Sequence, residues 1–77
     1  MDKETMIKNI SSNIEMFTTV RDGLDMTSIH FREKGERIID NSIEAGIKLM
    51  NWGEILKRVA IEITEELVTM EEVRKSL

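Results

Sequence analysis

The sequence predicts an all-α protein, a small antiparallel bundle of three to four helices that is completed by dimerisation. The 77 residues include no proline and only four glycines, and the apolar residues recur at spacings of three and four, as on one face of a helix. No segment alternates strictly between polar and apolar residues as a half-buried strand would. Residues 1–77 form a single domain. A chain this short buries too little surface to be more than marginally stable alone, so we expect a homodimer.

The first helix is expected to begin after the capping residue Asp2 and to end near Asp22. Gly23 would supply the left-handed residue that commonly terminates a helix. The apolar stripe of this helix consists of Ile7, Ile10, Ile14, Phe17 and Leu24.

The next apolar pattern predicts a second helix that continues through Gly35, at a cost of about 1 kcal/mol for the glycine. A soft break at Trp52-Gly53 leads to a third helical segment, and a capping-box pattern at residues 69–72 predicts a fresh terminal turn. The same pattern also allows two long hairpin-like arms. The residues expected in the core are Ile10, Ile14, Phe17, Ile38, Leu56, Val59, Ile63 and Leu67.

Several kinds of function are disfavoured by composition. The chain has no cysteine and one histidine, so disulfides and thiolate or histidine-rich metal sites are excluded, and we expect no cofactor. His30 is interpreted as a partly exposed helix residue, and no catalytic motif is present, so we expect no enzymatic activity. Neither a signal peptide nor a membrane span is visible, which indicates a cytoplasmic protein.

Residues 41–59 carry the alternative function, a small dimeric transcription regulator with a helix-turn-helix. In that alignment Gly46 lies in the turn, Trp52 packs inward, and the DNA-facing candidates are Lys48, Asn51, Lys57 and Arg58. The net charge of −4 disfavours nucleic acid, because phosphate binding usually requires a positive field. Gly53 would also fall inside the recognition helix. The Ala45-Gly46 pair has a simpler interpretation, a seam where another helix approaches closely.

The function that we predict is a non-enzymatic helical interaction module that binds a protein partner. Small size, acidic balance and wide apolar stripes resemble, in type and without a matching motif, the helical regulators and inhibitors of bacteria and phages. Methionine and tryptophan suit adaptable interfaces, so the expected partner contacts are Phe31, Met50 and Trp52. An acidic mimic of DNA is a third hypothesis, weakened by the even mixing of charges along the chain.

Overall fold

A computed structural model, which describes residues 2–77, shows a helical hairpin. Helix α1 spans Lys3–Ile38, and the antiparallel helix α2 spans Ile43–Ser76. The all-α prediction is confirmed, but the expected bundle of three to four helices is wrong, because each arm is one unbroken helix. The hairpin is a rod of 59 × 14 × 14 Å.

Short polar side chains define the ends of both helices. The carboxylate of Asp2 accepts a hydrogen bond from the backbone N–H of Thr5 at 2.7 Å, as predicted for a helix cap. This bond holds the pKa of Asp2 below its ordinary value of 3.8. At the turn, the hydroxyl of Ser42 accepts from the N–H of Ala45 at 3.3 Å and caps α2. The turn consists of residues 39–41, a position that the sequence pattern did not predict.

The predicted breaks at Gly23, Trp52-Gly53 and Thr69 are absent. Gly23 keeps a helical conformation, since none of the described residues has a positive φ. The helix continues there because Leu24 then stays on the same side of α1 as the apolar residues one repeat before and after it. Continuation through Gly35 is confirmed. The hydroxyl of Thr69 donates to the carbonyl of Glu65 within the helix and starts no new turn.

The two helices meet along a seam in which facing positions recur every seven residues. Ser28 Oγ donates to the Gly53 carbonyl at 2.7 Å, and a Cβ on Gly46 would lie 2.8 Å from the Ile39 Cα. The backbones therefore approach closely at the turn end, which confirms the Ala45-Gly46 pair as a packing seam. The seam consists of Ile7, Ile14, Arg21, Ser28 and Gly35 on α1, and Gly46, Gly53, Ala60, Leu67 and Arg74 on α2.

Burial within a single hairpin is slight. Among the described residues, Ala60 and Leu67 are the only buried apolar side chains, accompanied by the hydroxyl of Ser28. Of the eight residues expected in the core, Leu67 alone is buried, six are half-buried, and Val59 is exposed. The core prediction is thus wrong for one hairpin, because glycine and alanine occupy much of the seam and larger residues flank it. Neither α1 nor α2, over residues 2–77, is apolar and long enough to cross a membrane.

Candidate protein-binding face

One side of the hairpin carries a continuous row of large apolar residues, which we call the apolar face. On each helix these residues lie three positions after a seam position and recur every seven residues. All ten are half-buried, and none is fully covered by the opposite helix. The apolar face consists of Ile10, Phe17, Leu24, Phe31 and Ile38 on α1, and Leu49, Leu56, Ile63, Met70 and Leu77 on α2.

The residues of the apolar face pair across the two helices. Phe17 and Ile63 line one groove together with Val59, which places the two helices' apolar residues on the same side. The seam register pairs six of the other eight residues in the same way, since Ser28 lies opposite Gly53 and Gly35 opposite Gly46. Ile38 and Leu77, at opposite ends of the apolar face, have no facing residue in this set. Four rungs result, and from the turn outward they are Phe31 with Leu49, Leu24 with Leu56, Phe17 with Ile63, and Ile10 with Met70.

The opposite side of the hairpin is polar. Its groove is lined by Thr18, Thr64 and Glu71, with Ile14 and Leu67 at the seam beneath them. Arg74 spans this side, donating to Ser11 at 3.2 Å and to Glu71 at 2.6 Å. The side chains that follow the seam here are mostly hydroxyl-bearing or charged: Ser11, Thr18, Asp25 and Arg32 on α1, and Lys57, Thr64 and Glu71 on α2. Beside the seam, this side is therefore more polar than the apolar face, although Ile29, Met50 and Val68 also lie along it.

The three predicted partner contacts do not form one patch. Phe31 belongs to the apolar face, and Trp52 lies at its border, one repeat before Val59, with 57% of its surface exposed. Met50 is on the polar side of the seam, where its Cγ lies 2.7 Å from the position that a Cβ on Gly35 would take. Met50 thus fills the space above a glycine, whereas Phe31 and Trp52 remain available to another chain.

The geometry expected for the helix-turn-helix is absent. Residues 45–59 lie within the single helix α2, and the turn predicted at Gly46 is a buried helical position of the seam. The four DNA-facing candidates Lys48, Asn51, Lys57 and Arg58 are exposed, but they spread over about 180° of the helix circumference at 100° per residue. Lys48 is paired with Glu44 at 3.3 Å, while Lys57 borders the groove beside Asp25 on the polar side.

Residues 2–77 contain no cluster of side chains suited to a metal ion. His30 is exposed on α1, and no group of three or more His, Asp or Glu side chains in the described part of the chain could hold a metal ion. The grooves along the rod are open to solvent on either side of the seam. The hairpin therefore offers surfaces for contact with another molecule more than pockets for a small ligand.

By its fold and surface, this protein is a two-helix hairpin with one apolar face. No protein-family model, curated protein or solved structure matches this chain. The apolar face is the feature from which we infer a function.

Proposed function

We propose that this protein is a non-enzymatic helical interaction module whose apolar face binds another protein chain. In this proposal it acts in the cytoplasm as a small regulator or inhibitor, and binding is its activity. The single observation that supports the proposal is the set of ten large apolar residues left half-buried along one side of the hairpin.

The size of the apolar face makes a protein chain the appropriate ligand. Soluble monomers rarely expose contiguous apolar patches larger than a few hundred Å², whereas this face follows both helices along a rod 59 Å in length. Covering apolar surface contributes about 25 cal/mol per Å², so a helical partner that runs along the face would be strongly favoured. Trp52, at the border, is the residue type that most often dominates such contacts.

The polar side of the hairpin supports the same assignment. Its hydroxyl and charged groups are in contact with solvent, and the hydrogen bonds of Arg74 with Ser11 and Glu71 lie within the chain. A membrane surface would favour basic residues beside the apolar face, yet the chain carries 15 acidic and 11 basic residues. Protein is therefore favoured over lipid as the occupant.

The test compares two neighbouring substitutions that introduce the same charge. Ile63→Lys places an ammonium group on the apolar face, and Thr64→Lys places one on the polar side, where residue 64 is exposed. Each immobilised variant and the unmodified chain is offered nuclease-treated bacterial lysate and, separately, an untagged copy of this protein. We expect the unmodified chain and Thr64→Lys to retain a protein chain that Ile63→Lys loses.

Retention of the same proteins by Ile63→Lys would contradict the proposed use of the apolar face. Capture that disappears on nuclease treatment, and that requires Lys48, Lys57 and Arg58, would instead support the DNA-binding alternative. Circular dichroism of each variant shows whether the helices are intact, so that loss of binding is assigned to the face and not to unfolding.

A further inference from the structure

We infer that the occupant of the apolar face is a second copy of this chain, packed face to face with its turn at the opposite end, so that two hairpins form a four-helix bundle. This inference rests on the proposed function, since it uses the same surface and names the chain that covers it. Three observations favour a copy over an unrelated partner.

The first observation is the surface area of the single hairpin. A compact protein of 8.9 kDa exposes about 4800 Å², whereas this chain exposes 5806 Å². Its radius of gyration is 17.4 Å, against about 11.5 Å for a compact chain of this length. A single hairpin therefore lacks the second layer that a stable domain of its mass would have.

The area that a compact dimer would bury matches the range for obligate homodimers. A compact protein of twice the mass exposes about 8000 Å², whereas two separate hairpins at 5806 Å² each expose about 11,600 Å². The difference, about 3600 Å², lies within the 2000–5000 Å² typical of obligate homodimer interfaces. One further copy is thus sufficient to supply the missing layer.

The second observation is the distribution of aromatic residues among the four rungs. The first and third rungs from the turn contain Phe31 and Phe17, and the second and fourth contain only aliphatic side chains. With turns at opposite ends, the first rung of one copy meets the fourth of the other, and the second meets the third. Each of the four layers then holds one phenylalanine and three aliphatic residues, which gives the even filling that dense cores require.

The alternative arrangement, with both turns at the same end, fills the layers unevenly. Each rung would then meet its own copy, so that Phe31 meets Phe31 and Leu24 meets Leu24. Two layers would contain a pair of phenylalanines, while the other two would contain four aliphatic residues. Uneven layers leave voids or force strained rotamers, which disfavours this arrangement.

The third observation is the taper of the seam. At the turn end the facing residues are Gly35 and Gly46, whereas toward the open end Ile14 faces Leu67. Because the separation of packed helices depends on the side chains at the contact, we expect the helices to lie closer together at the turn than at the open end. When two tapered hairpins pack in opposite directions, the narrow end of each covers the wide end of the other, and the bundle keeps a constant cross-section.

The experiment measures mass and geometry on the full chain. Sedimentation equilibrium should give twice the 8.9 kDa chain mass for the unmodified protein and for Thr64→Lys, and one chain mass for Ile63→Lys. Because the chain lacks cysteine, Asn41→Cys in the turn accepts one spin label per copy. Double electron–electron resonance should then show a label separation near the 59 Å length of the hairpin.

Each outcome bears on the inference. A dimer with widely separated labels supports it, while a dimer whose labels lie about 10–20 Å apart, one or two helix separations, overturns the opposed arrangement. A monomer, or a larger assembly, overturns the inference as a whole. If a monomer still captures a different protein through Ile63, the proposed function stands without it. Should Ile63→Lys unfold, a melting temperature of the unmodified chain that does not rise with concentration overturns the inference.

Discussion

Replacing Gly46 by alanine tests the close approach of the two helices at the turn. A Cβ at this position would lie 2.8 Å from the Ile39 Cα and 2.9 Å from the Gly35 carbonyl oxygen. Both contacts involve backbone atoms, which cannot rotate away as a side chain can. Restoring ordinary contact at 3.4 Å would require the helices to separate by about 0.6 Å at this point.

Two opposing effects determine the magnitude. Alanine favours helix over glycine by up to about 1 kcal/mol, and this gain is reduced at Gly46 because it lies in the first turn of α2. Overpacking a close seam costs about 1–3 kcal/mol. We therefore expect Gly46→Ala to destabilise the protein by about 1–2 kcal/mol. For a domain of this size, that corresponds to a fall in melting temperature of about 4–16 °C.

The matched control is Gly23→Ala. A Cβ on Gly23 would meet nothing within 4 Å, so only the helix-propensity term applies, and we expect a gain of about 0.5–1 kcal/mol. Urea denaturation followed by circular dichroism, at one protein concentration for all variants, measures both changes. If Gly46→Ala stabilised the protein as much as Gly23→Ala, the proposed close contact at the seam would be refuted.

Three further predictions concern single groups. Ser28→Ala removes a buried hydroxyl that donates to the Gly53 carbonyl across the seam at 2.7 Å. Thermal melting should show a loss of stability of about 1 kcal/mol. An unchanged melting midpoint would contradict the importance of this hydrogen bond. Leu67→Ala should lower the free energy of unfolding by about 2–4 kcal/mol, because the side chain is buried. Val68→Ala, at the exposed neighbouring position, should change it by no more than about 0.5 kcal/mol. Equal losses in urea denaturation would contradict the assigned burial. Because the pKa of Asp2 is lowered in the folded state by its bond to the helix N-terminus, its stabilising effect is present above pH 3.8 and is lost as the pH falls through the lowered pKa. Asp2→Asn can still cap the helix but does not titrate in this acidic range. The difference in stability between the two proteins should therefore change with pH only in that range. A difference that changed near neutrality would show that it does not arise from the Asp2 carboxylate.

Much of the fold could be predicted from the sequence, because local chemistry determines it. The spacing of apolar residues predicts helix throughout, and Asp2 was identified as a cap from its residue type alone. The position of the turn was missed because Gly23 resembles a helix terminator, whereas the polar run from Asp40 to Ser42 carries the real signal. A glycine ends a helix only when the residues after it pack better outside the helix. Leu24 packs better when α1 continues, because it then stays on the apolar face.

The candidate site was predicted less completely, because it depends on how two distant segments face each other. Phe31, Met50 and Trp52 were grouped by residue type, and the grouping could not reveal that Met50 lies across the seam from the other two, over Gly35. The signal that could have revealed the seam is the seven-residue spacing of Gly46, Gly53, Ala60 and Leu67. Spacings of three and four define a broad stripe. Within it, the seam and the apolar face each recur every seven residues, and the small residues Gly46, Gly53 and Ala60 distinguish the seam from the large residues of the face.

The strict seven-residue repeat has a geometric consequence for any chain that covers the apolar face. An ideal straight α-helix drifts by about 20° per seven residues, so between Ile7 and Gly35 the seam of a straight α1 would rotate by about 80° away from α2. To stay in contact along 36 and 34 residues, the two helices must wind around each other with a left-handed supercoil. The apolar face winds with them, and a flat surface would touch it over only part of its length. A covering chain must share both the hand and the pitch of this superhelix, and a single residue inserted into either helix would turn everything beyond it by about 100° out of phase.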